Sequence, residues 1–258
     1  MPERRTVFLM YHELELPGRP LCLDDPGYVR YAVRLSDFRA QMESLRHDGW
    51  CGVSVGEAIE FSTEVSSVAI TFDDGCETDL MYAAPILRDF NFGATFYVTE
   101  GFLGKRGYLT SSQLQSLGAL GFEIGSHSMT HAYLTDLHDG QLHHEIAESK
   151  VRLEQIMGRQ IEHFSCPGGR CNPRVLRVAR EAGYRTVATS GIHANGERSS
   201  PFGLGRIAIM QNTSLKDFRD LCQGRGLWQL NMNVQLRKAA QRLMGNTFYD
   251  RLRGSLLR

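Results

Sequence analysis

The sequence predicts an α/β protein, a mainly parallel sheet with outer helices that closes or nearly closes as a barrel. Three observations lead there. Apolar, β-branched runs alternate with helix-period segments in a β-α-β-α order that recurs about six or seven times. The 258-residue length suits one barrel unit, and no low-complexity linker or internal repeat divides it. The residues best suited to chemistry, Asp73-Asp74 and His127 with His131, each follow a strand-like run. Barrels carry function at that strand end.

The elements follow in order. Residues 7–12 form an apolar strand. A helix spans 36–47, with Ser36 as cap, Phe38, Met42 and Leu45 on one face, and Gly49 after its end. Residues 67–72 form a strand, and 80–90 a helix in which Pro85 makes a kink or marks the true first turn. A β-rich strand at 94–98 precedes a helix at 110–120, whose Thr110 and Gln113 have capping-box spacing. A strand at 122–125, a long helix at 142–157 ended by Gly158, and a strand at 163–166 follow. The helix at 173–182 starts on Pro173 and is followed by Gly183, the expected asymmetry. Strands at 184–189 and 206–210 complete the pattern.

Composition bounds the function. At 42% hydrophobic and 22% charged, the chain has material for a sizeable core. Basic and acidic residues number 29 each, so no basic face argues for nucleic acid. No run approaches the 18 apolar residues of a membrane span. The N-terminal apolar run is too short for a secretory leader, so a cytoplasmic location is expected. The six cysteines contain no C-x-x-C pair and read as reduced thiols, with Cys76 read as a small buried filler ahead of a fourth metal ligand. Residues 1–225 read as the barrel and 226–258 as a helical, amphipathic extension. From Arg225 onward there are seven basic residues and one acidic residue, Asp250. Such a segment can pack on the barrel or touch the inner membrane face as a peripheral contact.

Adjacent carboxylates such as Asp73 and Asp74 are costly unless a positive charge lies nearby, and a divalent cation supplies one. Gly75 lets the chain turn sharply past them. His127 and His131 are four apart, which on a helical turn puts both rings on one face. Two His and one carboxylate make a catalytic zinc set with a position open for water.

The motifs Thr71-Phe72-Asp73-Asp74-Gly75 and Gly125-Ser126-His127-Ser128-Met129-Thr130-His131 resemble the NodB-homology polysaccharide deacetylases, carbohydrate esterase family 4. The segments 94–98, 114–134 and 145–158 are also similar, and the likeness runs from about residue 5 to about residue 220. It implies a distorted (β/α)7 barrel and a metal-dependent N-deacetylase acting on an N-acetylated sugar, in a polysaccharide or its precursor. Asp74, His127 and His131 would hold one divalent ion, zinc before cobalt or nickel. Asp73 would be the general base.

The departures from the family pattern are informative. Ser165-Cys166-Pro167-Gly168-Gly169-Arg170 replaces an aromatic third motif. Pro167, Gly168 and Gly169 stand where the oxyanion would be met, and the two glycines can offer backbone N–H groups. The fourth motif's Trp and the fifth motif's Leu-x-His are missing. The opening strand ends in Tyr11-His12 and resembles the permuted branch that includes exopolysaccharide deacetylases, which implies His12 as general acid. Arg206 resembles an arginine of that branch that could pair with Asp73, although a surface salt bridge is an equal reading. Two rival functions stay open. One is an amidase or deformylase on a small or lipid-linked substrate. The other is an inactive, metal-containing barrel that binds glycans.

Overall fold

The structure is a computed structural model that describes residues 5–60 and 66–232. Its strands are β1 (Arg5–Tyr11), β2 (Cys51–Val53), β3 (Ser67–Phe72), β4 (Thr95–Val98) and β5 (Glu123–Ser126). After them come β6 (His163–Ser165), β7 (Thr186–Ala188), β8 (Asn195–Gly196), β9 (Phe202–Leu204) and β10 (Ile207–Ala208). Strands β1, β3, β4, β5, β6, β7 and β9 lie side by side in parallel. β2 joins the first half of β3, and β8 runs antiparallel to the start of β1.

Closure comes from one short stretch. β9 pairs with β7, and β10 pairs with β1 at Leu9–Ile207 and Met10–Ala208. Only Gly205 and Arg206 separate β9 from β10, so they bridge the two ends of the sheet. The expected barrel is therefore present.

Alternation along the strands separates two apolar layers. Val7, Leu9, Tyr11, Val68, Ile70, Phe72, Phe96 and Val98 join the large core under the helices. There Phe72 stacks on Tyr11 and Phe96 at 5.3 and 4.9 Å. Phe8, Ala69, Tyr97, Ala188 and Leu204 form a second, smaller cluster on the opposite face. At the strand starts, Glu123 lies 3.2 Å from His163 and accepts from Gly56 N–H and the Thr95 hydroxyl. This polar group is at the barrel end that usually serves stability.

The helices are α1 (Leu35–His47), α2 (Ala84–Asp89), α3 (Ser111–Ala119), α4 (Ser149–Met157), α5 (Pro173–Glu181) and α6 (Leu215–Cys222). Thr110 and Gln113 make the expected reciprocal capping box, and Gly158 ends α4 at φ 64°. α1 departs from expectation. It starts at Leu35, directly after the short parallel pair Leu14–Glu15 and Val33–Arg34, so Ser36 lies inside the first turn and does not cap. Pro85 marks the true first turn of α2, which a π-turn (Asp79–Ala83) precedes. The long helix expected at 142–157 is three pieces: Asp139–His143, a π-turn at His144–Glu148, and α4. The π-turn has a use at the site below.

No helix among the described residues is long and apolar enough to cross a membrane. The extension proposed at 226–258 lies, from residue 233 onward, outside the described residues.

Candidate active site

β3 delivers Asp73 and Asp74 to the strand C-terminal end, and Asp73 N–H donates to Tyr11 O across β1. Asp74 and Gly75 both adopt φ 79°, in the left-handed region. The sharp turn expected at Gly75 is present, and a Cβ there would meet Val98 at 3.0 Å. Asp74 has no such excuse as a residue type. An aspartate held there stores roughly 1–3 kcal/mol of backbone strain, which is typical of functional loops.

β5 delivers the histidines, but not on a helical turn as expected. Residues 127–133 form an irregular loop in which Ser128 and His131 take φ 69° and 65°. The side chains of neighbouring residues replace the missing helical bonds. Ser128 Oγ accepts from His131 N–H at 3.0 Å. Glu145, buried in the π-turn, accepts from Met129 N–H at 3.0 Å, Thr130 N–H at 2.8 Å and the Thr130 hydroxyl. Glu145 thus acts as a template for the loop.

These loops bring the three expected ligands together. Asp74 Oδ1 is 3.7 Å from His127 Nε2 and 3.5 Å from His131 Nε2. Zinc–oxygen and zinc–nitrogen bonds of about 2.1 Å at tetrahedral angles give edges of about 3.4 Å, so the three atoms have the spacing of a shared ion. Asp74 Oδ1 is also buried without a hydrogen-bond partner, as an atom reserved for a cation would be. His127 Nδ1 lies 2.9 Å from Ser165 O, which fixes the ring with Nε2 facing Asp74. Burial lowers the His127 pKa to about 4, so the ring is neutral and ready to ligate at pH 7.

Asp73 sits in a buried polar nest beside the three ligands. Arg206 Nη1 and Nη2 donate to its two oxygens at 2.7 and 2.8 Å. Arg206 is itself fully buried and also donates to Ser165 Oγ at 2.7 Å and Thr71 Oγ1 at 3.2 Å. Of the two readings of Arg206, the pairing with Asp73 is the one present, and it is not at the surface. Burial would raise the Asp73 pKa. The Arg206 guanidinium, with His127 and His12 behind it, outweighs burial and holds the carboxyl well below the usual range. Asp73 Oδ2 lies 3.7 Å from His127 Nε2, beside the ligand set.

His12 follows the end of β1 and is half-buried. Its ring packs on Tyr31 at 4.9 Å, and its Nδ1 is buried with no hydrogen-bond partner. Pro167 is buried at the end of β6. Gly168 and Gly169 take φ 61° and 65°, and Cβ atoms there would strike Tyr133 and Ser190. Gly169 N–H already donates to Cys166 O at 2.8 Å, so the expectation that it serves an oxyanion does not hold. The turn consumes that donor.

Sequence reasoning missed Ser165, Glu145 and Tyr31. Ser165 has a faint signal, since it starts the motif that replaces the family's aromatic one. Glu145 opens the segment 145–158 that the resemblance picks out, but neither it nor Tyr31 carries a local pattern that ties it to the site.

A family model described as polysaccharide deacetylase matches residues 61–187. The Bacillus subtilis protein YxkH is 28% identical over 215 residues, covering 81% of this chain and 73% of that protein. The peptidoglycan-N-acetylglucosamine deacetylase of Bacillus cereus is 35% identical over 124 residues, covering 48% of this chain and 56% of the enzyme. Among solved structures, the Streptococcus pyogenes deacetylase PplD aligns with TM-score 0.75 at 22% identity, over 85% of this chain and 99% of that one. At that identity the likeness speaks for the fold.

Proposed function

The chain belongs to the polysaccharide deacetylase family, and from that premise we propose that it is a metal-dependent N-deacetylase of an N-acetylated glycan or its precursor. One observation carries the reading. Three ligand atoms spaced for one ion lie beside a second carboxylate that a buried arginine keeps ionised and aimed. A barrel that only bound glycans would have no use for Asp73, and burying it would be a cost without return.

Asp74, His127 and His131 would hold a divalent ion, zinc by the donor set of two imidazoles and a carboxylate. Such an ion makes a water acidic near neutrality and polarises an acyl carbonyl. This chain's residues do the rest. Asp73 accepts the water proton at Oδ2, the oxygen nearest the ligand set. Arg206 and Ser165 keep its carboxylate in one orientation through the step. A carboxylate with so low a pKa is a weak base, so it suits only a water already made acidic. His12 gives a proton to the departing amine. The packed face of Tyr31 holds its ring, with Nδ1 buried and unpartnered.

The test is acetate release from N-acetylglucosamine oligomers by zinc-loaded protein, with metal content measured in parallel. Asp74→Ala should lose both metal and turnover. His12→Ala should keep the metal and lose roughly 10²–10⁴-fold in kcat. Full metal content with no release from any N-acetylated glycan would sink the deacetylase reading and move attention to small acyl amides. Unchanged kcat in His12→Ala would remove His12 from the chemistry.

A further inference from the structure

A second group of ligand-type side chains converges next to the catalytic loop, and the chemistry above uses none of it. Glu13 comes directly after His12. Cys22 lies in the loop before Tyr28, and Cys76 comes two residues after Asp74. One ligand atom from each of Glu13, Cys22 and Cys76 lies within 4.8 Å of the others. Cys22 Sγ is 3.8 Å from Cys76 Sγ and 3.4 Å from Glu13 Oε1.

These spacings are those of a tetrahedral zinc shell. Zinc–sulfur bonds of about 2.3 Å give a sulfur–sulfur edge of about 3.8 Å, and with zinc–oxygen bonds of about 2.1 Å the sulfur–oxygen edge is about 3.6 Å. Glu13 is oriented as a ligating carboxylate usually is. Its Oε2 accepts from Cys22 N–H at 2.8 Å and the Tyr28 hydroxyl at 2.9 Å, and its Oε1 pairs with Arg19. A second observation points to the same place. Asp79 is fully buried, and neither carboxylate oxygen has a hydrogen-bond partner. Its main-chain N–H donates to Cys76 O at 3.0 Å, so it stands beside one of the three ligands.

We propose that Glu13, Cys22 and Cys76 form a second divalent-cation site, thiolate-containing and of zinc class, distinct from the Asp74–His127–His131 set. Binding displaces the two thiol protons to solvent. Two thiolates and one carboxylate against a doubly charged ion leave one negative charge, which Arg19 offsets. The site ties the loop after β1 to the loop after β3. It therefore braces His12 and Asp74, the neighbours of Glu13 and Cys76 in sequence, against each other. Its role is positional, and it takes no part in the reaction.

The decisive experiment is a cobalt(II) titration of the metal-free full chain, followed by absorbance. The Asp74–His127–His131 set contains no sulfur and gives no thiolate-to-cobalt charge-transfer band, whereas the proposed site must give one. Wild type should bind two equivalents with that band. Asp74→Ala should bind one equivalent and keep the band. Cys76→Ser and Cys22→Ser should each bind one and lose it. If a cysteine variant does not fold, the Asp74→Ala spectrum decides alone. No band in Asp74→Ala at saturating cobalt would overturn the proposal. So would recovery of Cys22 and Cys76 as a disulfide that persists in the presence of reductant and cobalt. Because the spectrum does not depend on turnover, the deacetylase reading and this site can fail separately.

Discussion

Replacing Arg206 by methionine tests the nest around Asp73 most directly. The substitution keeps an unbranched apolar stem and removes the guanidinium that donates to both Asp73 oxygens, to Ser165 and to Thr71. Asp73 is then a buried carboxylate with only the Ser165 hydroxyl, at 3.4 Å, still directed at it. Breaking a buried pair by removing one partner costs roughly 3–5 kcal/mol. In a domain of this size each kcal/mol is about 2–4 °C in Tm, so a fall of roughly 6–20 °C is expected. The measurement is thermal and denaturant unfolding of metal-free protein at pH 7, where no bound cation can substitute for Arg206. The pH dependence gives a further sign. In the wild type the folded pKa of Asp73 is depressed, so its stabilising contribution is complete above the unfolded value near 4 and is lost below it. Without Arg206, burial dominates and the folded pKa rises above the unfolded one. The gap between variant and wild type should then narrow as pH falls toward 4. Arg206→Met with Asp73→Asn should recover much of the loss, since no buried charge remains. A loss under about 1 kcal/mol in the single variant, the size of an exposed pair, would refute the reasoning.

Three further outcomes are expected. Glu145→Gln leaves the loop's fold chain-compatible but weakens the acceptor for Met129 and Thr130, so metal affinity measured by competition with a chelator should fall roughly 10–100-fold. Gly169→Ala places a Cβ 2.2 Å from Ser190 at φ 65°, whereas Gly158→Ala meets nothing at φ 64°. The second should cost about 1–2 kcal/mol, and the first distinctly more, in denaturant unfolding. His127 has a folded pKa of about 4 against an unfolded value near 6.5. The unfolded chain therefore binds the extra proton in that window, and metal-free protein should lose stability as pH falls from about 6.5 to 4. His127→Gln should flatten that part of the profile.

What could be read from the sequence is what repeats locally. The alternation of strand and helix, the capping box at Thr110, and the turns at Gly158 and Gly183 all depend on residues within a few positions of each other. The three metal-type ligands were legible for a related reason. Asp74 and His127 stand at the ends of parallel strands, with His131 four residues beyond His127, and a parallel barrel sends such positions to one end. The four-residue spacing of His127 and His131 suits a helical turn, but the residues form a loop, and spacing alone does not show that Glu145, on another element, satisfies its backbone.

Tertiary structure decided the rest. Arg206 is 133 residues from Asp73, and from sequence its pairing and a place at the surface were equal readings. Sheet closure removes the ambiguity, because β10 seats against β1 and carries Arg206 into the interior beside β3. The same closure makes Ser165 a shared partner of Asp73, Arg206 and His127. Cys22 and Cys76 are 54 residues apart and show no spacing motif, yet adjacent loops at one barrel end bring their sulfurs within 3.8 Å. Local pattern determined which residues stand at the C-terminal end of the parallel strands. Only the closed sheet determined which of them touch, because contact there follows from strand order and register rather than from position along the chain.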